Sequence, residues 1–326
     1  MTASLKELSY YKTGGLCQVL LSPISLDELQ EALLYTRAQG LAYFLLGAGS
    51  NSLIMDEFWP GAVISFHRLK KMSAEGSSLR CEAGLDNTVL AHYAYQHGLQ
   101  GISWMNRLPG QIGATVRMNA RCYGGEISQV VSKIKAVSPD GDILEFLTPP
   151  GSAASKAVFR AYKDTVFMSN GALIAEVEMQ LQPGKRIEIL QQMQACEKDR
   201  EKKGQFLHPS CGCIFKNDYS PEVSIPSGML LQEAGVRNLK QGAAQISPSH
   251  ANFVYNTGSA GSLEILHLAL EMRECVWRHF GVWLSFEMEI LGSLSSELKK
   301  KVHERREPTY RQDRLGPLRR KFAEKS

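Results

Sequence analysis

The chain has 326 residues, of which 44% are hydrophobic and 21% charged, with 37 Lys and Arg against 33 Asp and Glu. This composition is typical of a globular protein with two or three domains, and it excludes a disordered or fibrous chain. Residues 293–326 hold 11 basic and 5 acidic side chains, so the remaining chain is near neutral and lacks the basic footprint of a nucleic-acid-binding protein.

The lack of a recognisable targeting signal and the pattern of cysteines favour a cytoplasmic protein. The N-terminus has no apolar segment of the signal-peptide kind, and no window reaches the roughly 18 apolar residues that a membrane helix needs. The seven cysteines are scattered, and their number is odd in a chain large enough to bury its own core. We therefore expect reduced thiols.

The first predicted elements lie before His67. A helix is predicted over 25–39, because Ser25 and Glu28 fit a capping box, leucines follow at helical spacing, and Gly40 ends the pattern. Short apolar runs then predict strands over 43–46, 52–55 and 62–66.

The later elements mix helices and strands without a regular alternation. Helices are predicted over 87–97, 186–203 and 262–279, and strands over 171–181 and 282–291. In the last strand apolar and polar residues alternate, which puts Glu287 and Glu289 on its polar face. The missing βαβ rhythm predicts an α+β fold, with blocks at 1–69, 70–184 and 185–292 and a basic tail over 293–326.

A first glycine-rich loop runs from Gly47 to Ser52. It is not a Rossmann fingerprint, because Ser52 stands where the third glycine belongs and a strand follows. Gly47 and Gly49 would allow a nest of backbone amides that binds phosphate, with Ser50 and Asn51 as further donors. The alternative is a tight turn between two strands.

A second glycine-rich segment, Pro109-Gly-Gln-Ile-Gly-Ala, lies about 60 residues further on and precedes Arg117-Met-Asn-Ala-Arg-Cys-Tyr-Gly-Gly-Glu. Together the two segments favour a dinucleotide cofactor, since Gly110 and Gly113 would let the backbone approach a pyrophosphate or a flavin ring. The alternative is a buried crossing point that only glycine fits.

The pair Cys211 and Cys213 is the most reactive-looking motif. A structural zinc site needs four ligands, and no second cysteine pair is present, so we predict no metal. A thiol acid on a loop made flexible by Gly212 remains open. For Glu287, a solvated strand face is the simpler interpretation.

Taken in order, ten segments resemble the UDP-N-acetylenolpyruvoylglucosamine reductase family over roughly residues 10–292. They are Leu46-Gly-Ala-Gly-Ser-Asn-Ser, Leu108-Pro-Gly-Gln-Ile-Gly-Ala, Met118-Asn-Ala, Cys122-Tyr-Gly-Gly-Glu, Ala161-Tyr-Lys-Asp-Thr-Val-Phe, Pro209-Ser-Cys-Gly-Cys-Ile-Phe-Lys-Asn, Leu231-Gln-Glu-Ala-Gly, Gly242-Ala-Ala-Gln, His250-Ala-Asn-Phe-Val-Tyr-Asn-Thr-Gly and Phe286-Glu-Met-Glu-Ile-Leu-Gly.

The resemblance implies a two-lobed FAD-binding module of the vanillyl-alcohol-oxidase (PCMH) type followed by an α+β substrate domain. It also implies a flavoprotein oxidoreductase in which NADPH reduces non-covalently bound FAD. The flavin then reduces UDP-N-acetylglucosamine enolpyruvate to UDP-N-acetylmuramate, in peptidoglycan precursor synthesis and hence in cell-wall biogenesis, cell shape and division.

The resemblance assigns three groups of residues. The implied catalytic residues are Cys213, Glu287 and Lys163. The implied cofactor-binding residues are Gly47, Ala48, Gly49, Ser50, Asn51, Ser52, Pro109, Gly110, Ile112, Gly113, Ala114, Asn119, Gly124 and Ile174. The implied substrate-binding residues are Tyr162, Lys203, Asn217, His250 and Asn252, with Asn256 in the same motif; for His250 a structural hydrogen-bonding role is an alternative.

Three positions depart from the family pattern. Cys213 stands where the family has a serine acid; a thiol is the stronger acid and, near its usual pKa of about 8.5, is mostly protonated at neutral pH. Lys163 stands for an arginine, and it keeps the charge but loses the bidentate fork. Arg121 replaces a small residue, where it either crowds the flavin or adds a charge.

Two alternatives remain, the first of them motivated by these departures. One is a degenerate FAD-binding relative without the activity, and the other is a different flavin oxidoreductase. The tail lies outside the resemblance; we expect a solvated, partly disordered extension, the alternative being weak contact with an anionic surface or another cell-wall enzyme.

Overall fold

The structure, a computed structural model, describes residues 2–324. These residues contain nine α-helices: α1 (Leu26–Ala38), α2 (Asn87–Gln96), α3 (Ile112–Arg117), α4 (Ala153–Val158), α5 (Arg186–Lys202), α6 (Ser227–Glu233), α7 (Ser262–Phe280), α8 (Ser296–His303) and α9 (Gln312–Ala323). The strands of the same residues are β1 (Ala3–Ser4), β2 (Leu16–Leu21), β3 (Tyr43–Leu46), β4 (Ser52–Ile54), β5 (Trp59–Ser65), β6 (Met72–Glu75), β7 (Ser78–Glu82), β8 (Leu99–Gln100), β9 (Arg121–Cys122), β10 (Gly125–Glu126), β11 (Val131–Val137), β12 (Ile143–Leu147), β13 (Phe159–Ala161), β14 (Asp164–Thr165), β15 (Leu173–Gln180), β16 (Gln182–Pro183), β17 (Lys240–Gln241), β18 (Ala244–Ile246), β19 (Val254–Asn256) and β20 (Glu289–Leu291).

The chain divides into two compact units that interleave along the sequence. Unit 1 comprises residues 18–48 and 60–201 together with Thr2, and unit 2 comprises residues 3–17, 49–59 and the described chain from Lys202 onward. Two N-terminal segments thus belong with the C-terminal half. The contiguous boundaries predicted at 69, 184 and 292 stay predictions.

Unit 1 is built on a five-stranded antiparallel sheet in the order β12-β11-β15-β7-β6. Its central register pairs Ile134 with Val177 and Val177 with Cys81, and all three side chains are buried. Helix α2 begins where the Asp86 carboxylate accepts hydrogen bonds from the amides of residues 88 and 89, and it turns Leu90 into the core. A further three strands lie in the order β2-β5-β3, with β3 and β5 parallel.

Unit 2 is organised around α7, whose apolar face is buried. The helix begins where Asp56 accepts a hydrogen bond from the Ser262 amide at 2.6 Å, and it ends at Gly281, which has a φ of 67°. Strands β4 and β20 pair in parallel, with Ser52 opposite Glu289. This pair joins the first glycine-rich loop to the segment that carries Glu287.

The predicted helices α1, α2, α5 and α7 are confirmed, and so are the strands near residues 43, 52, 62 and 173. The prediction of one strand over 282–291 is wrong, because only β20 pairs regularly, while Phe286 makes a single bridge to Phe215. The alternation has another cause: Val282, Leu284 and Met288 turn into the core of unit 2 from an extended but unpaired chain.

The expectation of a disordered tail is also wrong for residues 296–323. Residues 296–303 and 312–323 form α8 and α9, and Leu315 and Leu318, three residues apart on α9, are buried in the core of unit 2. A few apolar residues are enough to pack α9 against the core, because they fall on one face of the helix. Within residues 2–324, no helix has the length and apolar content to cross a membrane.

Candidate active site and cofactor-binding segments

The first glycine-rich loop passes from unit 1 into unit 2 between Ala48 and Gly49. Gly49 has a φ of 67°, and a Cβ atom there would lie 2.5 Å from the carbonyl oxygen of Leu8. Close packing of the backbone therefore requires this glycine. A tight turn between two strands thus explains why residue 49 is a glycine. The phosphate contact predicted for Gly49 stays a prediction.

Gly47 and Gln111 bring the two glycine-rich segments together within unit 1. A Cβ atom on Gly47 would lie 3.1 Å from the Gln111 Oε1 atom, so the absence of a side chain leaves room for this amide. Gly110 has a φ of 126°. Gly113 packs on Ala83, which a Cβ would approach to 2.7 Å, so the crossing-point alternative explains this residue.

Two buried acceptors on the second segment provide a test of whether a flavin fits. Gln111 Oε1 and Asn119 Oδ1 are buried and find no hydrogen-bond partner among the described residues. An unpaired buried acceptor costs about 1–3 kcal/mol, so such atoms point to a ligand that donates hydrogen bonds. A flavin ring N–H and ribityl hydroxyls are donors of this kind, and the segment therefore fits FAD.

The other predicted cofactor residues differ in how far they are buried. Ile112 and Ile174 are buried in the core, on α3 and β15, whereas Ala114 and Gly124 are exposed. Asn119 has a φ of 42°, and its amide donates to Glu126 at 2.6 Å, which holds the loop before β9. Pro109, Ala48, Ser50 and Ser52 are half-buried.

The segments that carry Cys213 and Glu287 are neighbours in unit 2. The Glu287 amide donates to the carbonyl of Ile214 at 2.8 Å, and Cys213 forms an antiparallel bridge with Phe253 on its other side. Both side chains are half-buried. The segment carrying Cys213 thus lies between two neighbours, one of which carries Glu287, while the catalytic role of Glu287 and its solvated-face alternative both stay predictions.

Asn51 and Asn252 hold this pair of segments in place. The Asn51 amide donates to the Glu287 carbonyl at 2.8 Å, and the Asn51 carbonyl accepts from the Glu289 amide at 2.9 Å. Asn252, which is buried, accepts from the Phe215 amide at 3.0 Å and donates to the Phe215 carbonyl at 2.8 Å. Sequence reasoning assigned Asn252 to the substrate and missed this strand-like pairing, which no local pattern signals.

Cys211 differs from Cys213 in its surroundings. Burial raises the pKa of Cys211 to about 12, and the negative charge of Glu287 acts in the same direction. Cys211 packs beside Tyr11, whose pKa burial also raises. A thiol of this kind stays protonated and is a poor nucleophile or metal ligand. Within residues 2–324 no three His, Cys, Asp or Glu side chains are grouped for a metal ion.

The predicted substrate residues of unit 2 are in part engaged by the protein itself. Asn217 accepts a hydrogen bond from the Ser227 amide at 3.0 Å and donates to Tyr219 at 3.1 Å. His250 accepts from the Asn252 amide at 3.3 Å, and burial followed by the Lys203 charge lowers its pKa. Lys203 itself is exposed.

Lys163 lies in unit 1 at the turn of the β13–β14 hairpin, with a φ of 55°. Its Nζ atom is 5.9 Å from the ring centre of Tyr162, and the Arg121 guanidinium lies 4.2 Å from the same ring. Two cations therefore share one aromatic side chain. This arrangement favours the interpretation that Arg121 adds a charge near Lys163.

Comparison with known proteins identifies both parts of the chain. Residues 17–147 match an FAD-binding domain, and residues 203–291 match the C-terminal domain of UDP-N-acetylenolpyruvoylglucosamine reductase. A curated protein of that name from Carboxydothermus hydrogenoformans is 32% identical over 289 residues, which cover 88% of this chain and 92% of the relative. A second, from Treponema denticola, is 32% identical and is covered to 92%.

A solved structure agrees with these matches. The crystal structure of UDP-N-acetylenolpyruvylglucosamine reductase from Thermus caldophilus superimposes with a TM-score of 0.73 at 26% identity, covering 89% of this chain and 98% of the other. An FAD-binding domain joined to a reductase C-terminal domain defines an FAD-dependent oxidoreductase of α+β fold, with an FAD module of the vanillyl-alcohol-oxidase type. The chain belongs to the UDP-N-acetylenolpyruvoylglucosamine reductase family.

Proposed function

We propose that this chain catalyses the NADPH-dependent reduction of UDP-N-acetylglucosamine enolpyruvate to UDP-N-acetylmuramate in peptidoglycan precursor synthesis. The observation that carries the proposal is that Cys213 and Glu287 lie on neighbouring segments, joined by the hydrogen bond from the Glu287 amide to the Ile214 carbonyl. It occurs in a chain whose family relatives carry this reductase name.

The cofactor would be held by the two glycine-rich segments. Gln111 and Asn119 offer buried acceptors to it, and Gly47 leaves the space beside Gln111 open. When bound, FAD would supply the hydride chemistry that links NADPH oxidation to reduction of the substrate alkene. The chain itself binds the reactants, excludes water and handles protons.

Cys213 is the proposed acid. Hydride addition at one alkene carbon leaves an enolate on the substrate carboxylate, and the other carbon must then take a proton. The thiol donates that proton from Sγ and becomes a thiolate. Glu287 is the proposed group that returns a proton from solvent to Cys213. Lys163, with Arg121 near it, is the proposed cation that stabilises the negative charge of the substrate.

The cellular compartment of the enzyme follows from the same proposal. The precursor pathway draws on NADPH and nucleotide sugars, and the seven cysteines are free thiols, as suits a reducing compartment. We therefore propose that the enzyme acts in the cytoplasm and takes a UDP-sugar as its substrate.

The test follows NADPH oxidation by the purified full-length protein with and without UDP-N-acetylglucosamine enolpyruvate, after its flavin spectrum has been recorded. Cys213→Ala should lower kcat by about 10²–10⁴-fold while the flavin stays bound, because general acid catalysis contributes about this much. Cys213→Ser should retain activity. Cys275→Ala, which removes another half-buried thiol, is the matched control.

Two results would oppose the proposal in different ways. If flavin binds but the enolpyruvyl substrate never accelerates NADPH oxidation, the chain is a relative that kept the cofactor and lost or changed the reaction. If turnover is normal but Cys213→Ala matches Cys275→Ala, the reaction stands and the acid is another group.

A further inference from the structure

Residues 293–324, here called the C-terminal strap, lie beyond the matched reductase domain, which ends at residue 291. The strap runs along α7 and the chain that follows it. The Thr309 amide donates to the Gly281 carbonyl at 2.9 Å, and the Arg311 amide donates to the Phe280 carbonyl at 2.9 Å. The strap is therefore an ordered part of unit 2, and its role is not explained by the family domain.

Trp283 is the point where the strap meets the chain that leads to the active site. Its indole N–H donates to the Glu304 carbonyl at 2.7 Å. The guanidinium groups of Arg306 and Arg273 lie 4.1 Å and 4.2 Å from its ring centre. One guanidinium comes from the strap and the other from α7, so Trp283 couples the two.

Arg306 is fixed by a two-pronged ion pair. Its Nη atoms bond both carboxylate oxygens of Glu274, at 2.6 Å and 3.0 Å, and its Nε bonds Glu304 at 2.9 Å. This bidentate geometry is the strong form of an arginine–carboxylate pair. Arg305, the preceding residue, is exposed, whereas Arg306 is half-buried and makes the bonds just described.

Arg273 needs the strap to satisfy its own charge. It is only 2% exposed, and burial lowers its pKa to about 10, so it is still charged at neutral pH. Its Nη atoms donate to the carbonyls of Lys301 and Val302 at the end of α8. A buried guanidinium is costly without such acceptors, so displacing the strap displaces Arg273 as well.

The contacts continue from Arg273 to the active site. Its guanidinium lies 4.8 Å from the ring centre of Phe286, which stacks on Phe215 with ring centres 5.1 Å apart. Phe286 directly precedes Glu287, and Phe215 lies two residues after Cys213. A path of direct contacts thus joins the strap to Phe286 and Phe215, which stand within two residues of the proposed catalytic residues in the sequence.

We propose that the C-terminal strap positions the active site, with Arg306, Trp283 and Arg273 as positioning residues that hold Phe286 and Glu287 against the segment of Cys213. The inference rests on the proposed function for the roles of Glu287 and Cys213. It assigns the basic tail a part in catalysis that does not require a membrane surface or a partner enzyme.

The test compares Arg306→Ala with the matched control Arg305→Ala in the full-length protein. Arg306→Ala should lower kcat by about ten- to a hundredfold, because a displacement of roughly 1 Å at a reacting group can cost about 10²-fold. KM should change far less, since Arg306 bonds Glu274 and Glu304, neither of which is proposed to bind the substrate. Arg306→Lys, which keeps the charge but not the fork, should recover part of the lost kcat. Arg305→Ala should match the wild type.

Amide hydrogen exchange provides a readout that needs no substrate. In Arg306→Ala the Glu287 and Lys216 amides, which bond the Ile214 and Ser285 carbonyls, should exchange at least tenfold faster than in Arg305→Ala. If Arg306→Ala fails to fold, Trp283→Phe keeps a ring but removes the bond to Glu304, and should shift both readouts in the same direction.

The outcomes separate this inference from the proposed function. A wild-type protein that never turns over the enolpyruvyl substrate refutes the proposed function, and hydrogen exchange alone then decides the role of the strap. If the wild type is active and Arg306→Ala lowers only the melting temperature, with kcat and exchange at residues 285–289 unchanged, the strap is a stabilising element and the inference is overturned.

Discussion

Replacing Asn252 by Ala tests how the Cys213 segment is held. The side chain amide of Asn252 makes two hydrogen bonds to the backbone of Phe215, at 2.8 Å and 3.0 Å, and both residues are buried. Removing it leaves a buried N–H and a buried C=O without partners. Each such group costs about 1–3 kcal/mol, so the free energy of unfolding of unit 2 should fall by about 2–6 kcal/mol.

The assay is urea unfolding followed by far-UV circular dichroism, with hydrogen exchange of the peptide over residues 211–217. Two units can unfold separately, so the exchange data identify which transition has moved. Asn238→Ala, at an exposed asparagine, is the control and should change stability by less than about 0.5 kcal/mol. If Asn252→Ala behaves like this control, the two hydrogen bonds do not hold the segment and the reasoning fails.

Two further predictions concern a glycine and a histidine. Gly49→Ala should destabilise the protein by about 2–5 kcal/mol, because left-handed strain of about 1–2 kcal/mol adds to overpacking of about 1–3 kcal/mol against Leu8. Gly76→Ala, with a φ of 56° and open space, should show the strain alone in the same thermal melts; equal losses would refute the clash. Burial holds the pKa of His250 below its usual value of about 6.5, so the stability that neutral His250 contributes is complete above that pH and is lost as pH falls through the lowered pKa. The urea midpoint should therefore decrease more between about pH 7.5 and pH 5 in the wild type than in His250→Gln. Equal decreases in the two proteins would contradict this.

Local chemistry made much of the fold predictable. Helix α1 follows from a serine cap and helically spaced leucines, and the structure shows the Ser25 hydroxyl accepting from the Glu28 amide at 3.2 Å. Helix α7 likewise ends at the glycine that the sequence indicates. Signals of this kind act within a few residues, so one sequence is enough to detect them.

The wrong predictions concern segments whose structure depends on contacts with residues far away in the sequence. Alternation over 282–291 reports which side chains are buried, and burial against a helix produces the same pattern as burial on a sheet. The tail was expected to be solvated because its charge is high, but the partner of Arg306 is Glu274, 32 residues earlier. For the candidate site, the resemblance proposes Cys213 and Glu287, while the buried acceptor of Gln111 becomes visible only in three dimensions.

The interleaving of the two units has a consequence for biosynthesis. Asn51 bonds Glu287, which is 236 residues later in the chain, and β4 pairs with β20. At about 5–20 residues per second, a ribosome takes roughly 12–50 s to supply that partner. During this interval β4 is an apolar edge without its neighbour, exposed to wrong pairing. A nascent chain of this protein should therefore depend on chaperones longer than its size suggests, and slow translation of its second half should lower the yield of folded protein.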